Sequence, residues 1–385
     1  MSSLENASAA SDAAMSARAA KRLVIKVGSA ILCGDGGAVR ERWLSTLAND
    51  ITDLRRRGVE VAVVTSGAIA LGRKKLRLSG GLRLDEKQAA SAAGQTALAQ
   101  AWQAAFAAHD INIAQILLTL DDTEERRRYL NARATMRTVL DLGAIPLINE
   151  NDTIATSEIR YGDNDRLAAH AAQLIDADVL VILSDVDGLY TADPRRDAAA
   201  AHIPVIDAIT PEIEAAAKGP NTDAGVGSGG MASKVAAAKI ACRAGCAAIL
   251  APGVIDNPLK TVLDGGKATL FKAATSKERA RRQWIAGRLK AAGSVTVDAG
   301  AAKALTTGAS LLPAGVTSVS GDFSRGDAIN IAGPDGVVIG KGLSAFDAEE
   351  VKNIAGKKSD EIENILGYRR RPAVIEKDDL VMKAE

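Results

Sequence analysis

Five apolar runs punctuate the first half of the chain: residues 22–29 (RLVIKVGS), 59–67 (VEVAVVTSG), 113–118 (IAQILL), 144–152 (AIPLINEND) and 177–188 (ADVLVILSDVDG). They stay apolar instead of alternating with polar residues, the pattern of strands covered on both faces in a parallel sheet. Between them, segments 41–57, 88–108, 123–142 and 164–175 read as helices. Strand and helix in alternation predict an α/β fold, doubly wound around a mainly parallel sheet.

The stretch 88–108 carries no charged residue, and its length alone would fit a membrane span. It is built mostly of alanine, with Gln88, Ser91, Gln95, Gln100 and Gln103 spread through it. That composition predicts a packed soluble helix pair. Near residue 275 the texture changes. A charged linker over 276–292 leads into short strands separated by Gly, Pro and Asp, predicting a small separate β-barrel over 293–375. Residues 1–20 lack the apolar core of a secretory signal and are expected to be a disordered tail, and residues 376–385 are expected to be a C-terminal tail.

Composition narrows the partners. The 385 residues include 48 Lys+Arg and 47 Asp+Glu, a formal net charge of +1. Such a balance offers no overall footprint for nucleic acid. In the C-terminal segment Phe323 and Phe346 are the only aromatics before Tyr368, few for stacking unpaired bases. Three cysteines, Cys33, Cys242 and Cys246, are too few and too oddly spaced for a disulfide framework or a zinc site. Reduced thiols in a cytoplasmic enzyme are expected.

Polar residues gather where four of the apolar runs end: Lys26, Gly28 and Ser29; Ser66 and Gly67; Asn149 to Asp152; Ser184 and Asp185. In open α/β sheets, ligands bind beyond the carboxyl ends of the strands, so these four ends point to one site. Each alone could serve a turn or a helix cap; their concurrence carries the inference.

A further signal is the stretch GVGSGGMASK, residues 225–234. Gly225, Gly227 and Gly230 satisfy the dinucleotide spacing G-x-G-x-x-G, but that fingerprint must follow a strand, and AAAKGPNTDA before it reads as loop. A Walker A loop is excluded as well, because Met231, Ala232 and Ser233 separate the last glycine from Lys234. What remains is a glycine-rich loop feeding a helix N-terminus, whose free N–H groups suit a phosphate. Lys234 can add a full charge one turn inside. Lys26 ends an apolar strand and needs an anionic partner of its own. Two lysines held apart by Asp185 would make an electrostatic clamp for a phosphoryl group. His109 and His170 lie in helical runs and His202 in a loop, so none is placed as a base. A carboxylate acceptor needs none, since it is already ionised at neutral pH.

The strings VIKVGS, VTSGAIALG, LNARATM, PLINENDTIATSEIRYGDNDRLAA, LSDVDGLYTADPR and GSGGMASKVAAAKIACRAG together resemble the amino acid kinase family, in its glutamate-phosphorylating branch. The resemblance runs from about residue 21 to 375, and GASLLPAGVTSVSGDFSRGD looks like the PUA domain attached to bacterial members. It implies a three-layer amino acid kinase domain over 21–275, a PUA-like domain over 293–375, and ATP with Mg²⁺ as cofactors. Lys26 and Lys234 would contact the ATP phosphates, with Ser184 and Asp185 at the nucleotide. Ser228, Gly229, Gly230, Met231, Ala232, Ser233 and Lys234 would form the phosphate loop; Lys26, Lys234 and Asp185 would carry catalysis. Ser66, Asp152 and Asn164 would hold L-glutamate, with Asp152 pairing with the α-ammonium. Metal ligands are not legible. The resemblance also implies inhibition by proline and a homo-oligomer, a dimer or tetramer, away from the membrane. A sibling kinase with another carboxylate, carbamate or nucleoside monophosphate acceptor, an RNA-binding protein and a dinucleotide oxidoreductase remain the alternatives.

Overall fold

The computed structural model describes residues 12–34, 37–154, 163–218, 230–288, 290–368 and 372–383. The predicted runs form strands β1 (Arg22–Val27), β2 (Glu60–Thr65), β3 (Ile113–Leu118), β4 (Ile145–Glu150) and β5 (Val179–Ser184). Short strands follow: β6 (Leu189–Tyr190), β7 (His202–Ile203), β8 (Val205–Ile206), β9 (Ala247–Pro252) and β10 (Thr269–Phe271). Eight of them make one sheet in the order β3-β4-β2-β1-β5-β9-β10-β8, parallel except where β10 meets β9. β6 and β7 form a separate antiparallel pair.

The central strands are buried on both faces, as their unbroken apolar runs require. β3 is the exception: it lies at one edge of the sheet, and only Leu118 is fully buried along it. Alternate residues of a strand face opposite sides. Leu23, Ile25, Val27, Val61, Val63, Val179, Val181 and Leu183 pack into one core with helices Glu41–Arg56, Leu84–Ala107 and Pro258–Leu263. Lys26 takes the other alternation. Helices Asp163–Leu174 and Met231–Arg243 pack against each other, and against β1 and β5 respectively, completing three layers.

The charge-free stretch forms one continuous 24-residue helix, Leu84–Ala107, in place of the expected pair. Gly94 does not break it because the missing side chain serves packing. A Cβ there would lie 1.8 Å from the Ala68 carbonyl oxygen, and one on Gly72 would lie 1.6 Å from that of Ala90. Helix Ala68–Lys75 and helix Leu84–Ala107 therefore meet backbone to backbone at this crossing.

The ends of the chain also differ from expectation. Residues 12–19, expected within a tail, form a helix with Ala13, Ala14 and Ala17 buried, since alanines three and four apart give it an apolar stripe. The charged segment expected as a linker forms helix Lys277–Arg288, with Ile285 buried. Beyond residue 375, β15 (Leu380–Met382) is a paired strand.

The chain divides into two compact units, residues 1–124 with 131–277, and residues 125–130 with 278–385. The second holds a five-stranded sheet in the order β12 (Val316–Gly321), β11 (Gly293–Val297), β13 (Ala328–Ala332), β14 (Val338–Leu343) and β15. Phe323 and Phe346 lie inside its core with Val295, Ile331 and Val351. Among the described residues, no helix is long and apolar enough to cross a membrane.

Candidate active site

The parallel register brings the predicted strand ends level. Val27 of β1 pairs with Thr65 of β2 and with Leu183 of β5, so Gly28, Ser66 and Ser184 leave the sheet side by side. β4 pairs with β2 through Ile148, one residue before Asn149. Gly67, the residue after Ser66, has φ +112°, a conformation glycine adopts without steric cost, and it turns the chain directly into helix Ala68–Lys75.

Two lysines and one carboxylate occupy the centre. Lys26 Nζ lies 2.5 Å from Asp165 Oδ1, and Lys234 Nζ lies 4.0 Å from Asp165 Oδ2. Both lysine side chains are 8% exposed and Asp165 is 0%. Ser233 Oγ donates to Asp165 Oδ2 at 2.8 Å, joining the first turns of the two helices that carry these residues. Desolvation pushes the Lys234 ammonium below the ordinary lysine range; Asp165 and Asp185 oppose this and Lys26 adds to it. Asp165 thus draws both ammonium groups to one buried point at the strand ends, an arrangement that suits an incoming phosphate.

The carboxylate between the two lysines is Asp165, where the sequence pointed to Asp185. Asp185 is exposed beyond the end of β5 and accepts a hydrogen bond from Ser184 Oγ at 3.0 Å, whereas Asp165 is enclosed in the first turn of its helix. The Asp185 charge raises the Lys234 pKa. Asp165 was readable in GDND, the second aspartate opening a helical run, but nothing in the sequence told it from its neighbours.

Gly230 caps helix Met231–Arg243 in an extended conformation, with no side-chain cap and no acidic residue in the first turn. Its first N–H groups thus meet no competing side-chain anion from the helix itself. Met231, Ala232 and Ser233 occupy that turn. Ser228 and Gly229, like Gly225 and Gly227, lie outside the described residues.

The residues expected to hold an amino acid are tied into a polar network. Asn164 Nδ2 donates to Ser66 Oγ at 2.9 Å and to Asn149 Oδ1 at 3.2 Å. Asn149 Nδ2 donates to Gln95 Oε1 at 2.9 Å. With both of its N–H groups engaged, Asn164 presents Oδ1, which is buried without a hydrogen-bond partner. It can therefore accept from an ammonium, while Ser66 keeps its own hydroxyl proton to donate to a carboxylate. Asp152 is buried and receives the Ser91 hydroxyl at 2.6 Å. Sequence reasoning missed Ser91 and Gln95; their signal was polarity one turn apart in an otherwise alanine-rich stretch.

The histidines stand aside. His109, just past its helix, bonds Asn49, and His202 lies edge-on to Tyr190 in a two-residue strand, not the expected loop. Desolvation pushes His170 and His202 below the ordinary histidine range. Among the described residues no group of three or more His, Cys, Asp or Glu could hold a metal ion.

The profile of the amino acid kinase family matches residues 21–251, more than half of the chain. The chain belongs to the amino acid kinase family. It is a kinase, and residues 293–366 match the PUA domain. It is 56% identical to a glutamate 5-kinase of Paramagnetospirillum magneticum, over 95% of this chain and 98% of that protein. A glutamate 5-kinase of Allorhizobium ampelinum is 55% identical, covering 94% of this chain and 92% of that one. One of Caulobacter vibrioides is 54% identical, at 94% and 97% coverage. Among solved structures, a UMP kinase from Bacillus anthracis aligns with TM-score 0.47 at 15% identity, over 66% of this chain and 97% of that chain.

Proposed function

We propose that the chain transfers the γ-phosphoryl group of ATP to the γ-carboxylate of L-glutamate, giving γ-glutamyl phosphate, the first step toward proline. The observation that carries this reading is the buried Lys26–Asp165–Lys234 cluster at the strand ends, next to a polar network that offers both a carboxylate donor and ammonium acceptors. The names of the curated relatives support the same acceptor.

In this reading the first turn of helix Met231–Arg243 and Lys234 receive the nucleotide phosphates, with Ser184 and Asp185 beside them. Lys26 faces the transferring group from the opposite side. Asp165 holds the two ammonium groups at fixed positions, so charge neutralisation is organised before the substrates arrive. The acceptor carboxylate is ionised at neutral pH, so the transfer requires alignment and needs no general base. Mg²⁺ bound with ATP would supply screening of the phosphate charge, while Lys26 and Lys234 supply positive charge from the protein side. The reading extends to inhibition by proline, a homo-oligomeric dimer or tetramer, and a cytoplasmic location, with the chemistry confined to residues 21–275.

The test is ADP release from Mg²⁺-ATP with and without L-glutamate, trapping the product with hydroxylamine. Glutamate-dependent ADP and hydroxamate support the proposal. ADP release indifferent to glutamate, or turnover of UMP in its place, would reject it.

A further inference from the structure

The buried face of helix Leu84–Ala107 is built from Ala90, Gly94, Leu98, Trp102 and Phe106, interrupted by Ser91 and Gln95. Ser91 is 3% exposed and Gln95 9%. A hydroxyl buried on such a face is costly unless it is paired, and inside a helix a serine can satisfy itself on the carbonyl four residues back. Ser91 has one proton to give and gives it to Asp152, sixty-one residues away, at 2.6 Å. That is a short hydroxyl–carboxylate hydrogen bond. One turn further, Gln95 receives Asn149, so a single helix grips both ends of segment 149–152. The Gln95 Nε2 group is itself buried without a hydrogen-bond partner, a donor that the described residues leave unused at this site.

The position of the hydroxyl is set by backbone packing. Gly94, three residues on, has no room for a Cβ against the Ala68 carbonyl, and Gly72 none against that of Ala90. The helix cannot slide or roll at Ser91 without losing that contact.

We propose that Ser91 is a positioning residue of the acceptor subsite, fixing the Asp152 carboxylate where it meets the α-ammonium of the bound amino acid. The proposal deepens the glutamate reading above and rests on it. Ser91 touches no reacting atom; it selects for substrates that carry the ammonium by restricting Asp152 to one orientation.

A double-mutant cycle with Ser91→Ala and Asp152→Asn tests it, reading KM for L-glutamate and KM for ATP separately. Ser91→Ala is expected to raise KM for glutamate about tenfold, the size of one hydrogen bond to a charged group, with KM for ATP unmoved. In the Asp152→Asn background the same change is expected to add nothing. If the alanine variant does not fold, Ser91→Cys, a weaker donor, should give a smaller increase of the same kind. Asp152→Asn raising KM while Ser91→Ala leaves it alone would overturn the proposal, as would equal effects of Ser91→Ala in both backgrounds. Asp152→Asn leaving KM for glutamate unchanged would remove the reading of Asp152 and the proposal with it.

Discussion

Asp165 Oδ1 lies 2.5 Å from Lys26 Nζ, and the aspartate side chain has no exposure to solvent. The two groups form a buried ion pair, and Lys234 shares the same carboxylate. Burial ordinarily makes such a pair a weak source of stability, but removing one member strands the other. Asp165 is thus the residue on which the electrostatics of the site turn.

Asp165→Asn is expected to lower kcat by about 10²–10³, the scale for loss of one preorganised electrostatic group. It should also cost about 3–5 kcal/mol of stability by removing the carboxylate that pairs with the buried Lys26 ammonium. ADP release at saturating substrates and denaturant unfolding measure the two effects. A variant with near-normal kcat would take Asp165 out of the clamp.

Lys234 gives a pH prediction with a definite sign. Its ammonium must stay protonated to face phosphate, so activity is lost as pH rises through its pKa, which burial places below the ordinary lysine value. Asp165 raises that pKa, so in Asp165→Asn the alkaline limb of kcat/KM for ATP should move to lower pH. An unmoved limb would mean that another group controls it. Lys234→Ala should lower kcat far more than it weakens glutamate binding.

Gly94→Ala puts a methyl group 1.8 Å from the Ala68 carbonyl oxygen, a contact relieved only by separating two helices. The expected cost is about 3 kcal/mol, read from the urea midpoint. Because this crossing locates Ser91 and Gln95, KM for glutamate should rise in the folded fraction. Wild-type stability would show the crossing to be looser than described.

Asp50, buried on helix Glu41–Arg56, accepts from Asn257 Nδ2 at 2.9 Å and from the N–H groups of Leu259 and Lys260 at 3.0 and 3.1 Å. It caps a helix entered through Asn257, whose φ is +53°. Asp50→Ala should cost about 2 kcal/mol, as expected for a strong cap, measured by the same unfolding experiment.

Much of the fold was legible because its strands announce themselves twice, by unbroken apolar runs and by the polar residues that end them. Lys26, Ser66, Asn149 and Ser184 were found that way, since strand ends in a parallel sheet share one level. β3 misled in burial because an edge strand can be as apolar as a central one. Asp165, Ser91 and Gln95 were not legible as site residues because each sits inside a helix, where only tertiary packing decides which polar group turns inward. Residues 12–19 carried only a short alanine stripe, which becomes a helix only against a surface that covers it.

The central claim, that this site drives a carboxylate oxygen onto the γ-phosphorus of ATP, is tested most directly with L-glutamate labelled with ¹⁸O in its γ-carboxylate. Attack forms the new P–O bond from that oxygen and breaks the bond to ADP. Hydroxylamine then attacks the acyl carbon and releases phosphate with the bridging oxygen attached. The account predicts one ¹⁸O in each phosphate released with hydroxamate; unlabelled phosphate accompanying ADP release would contradict it.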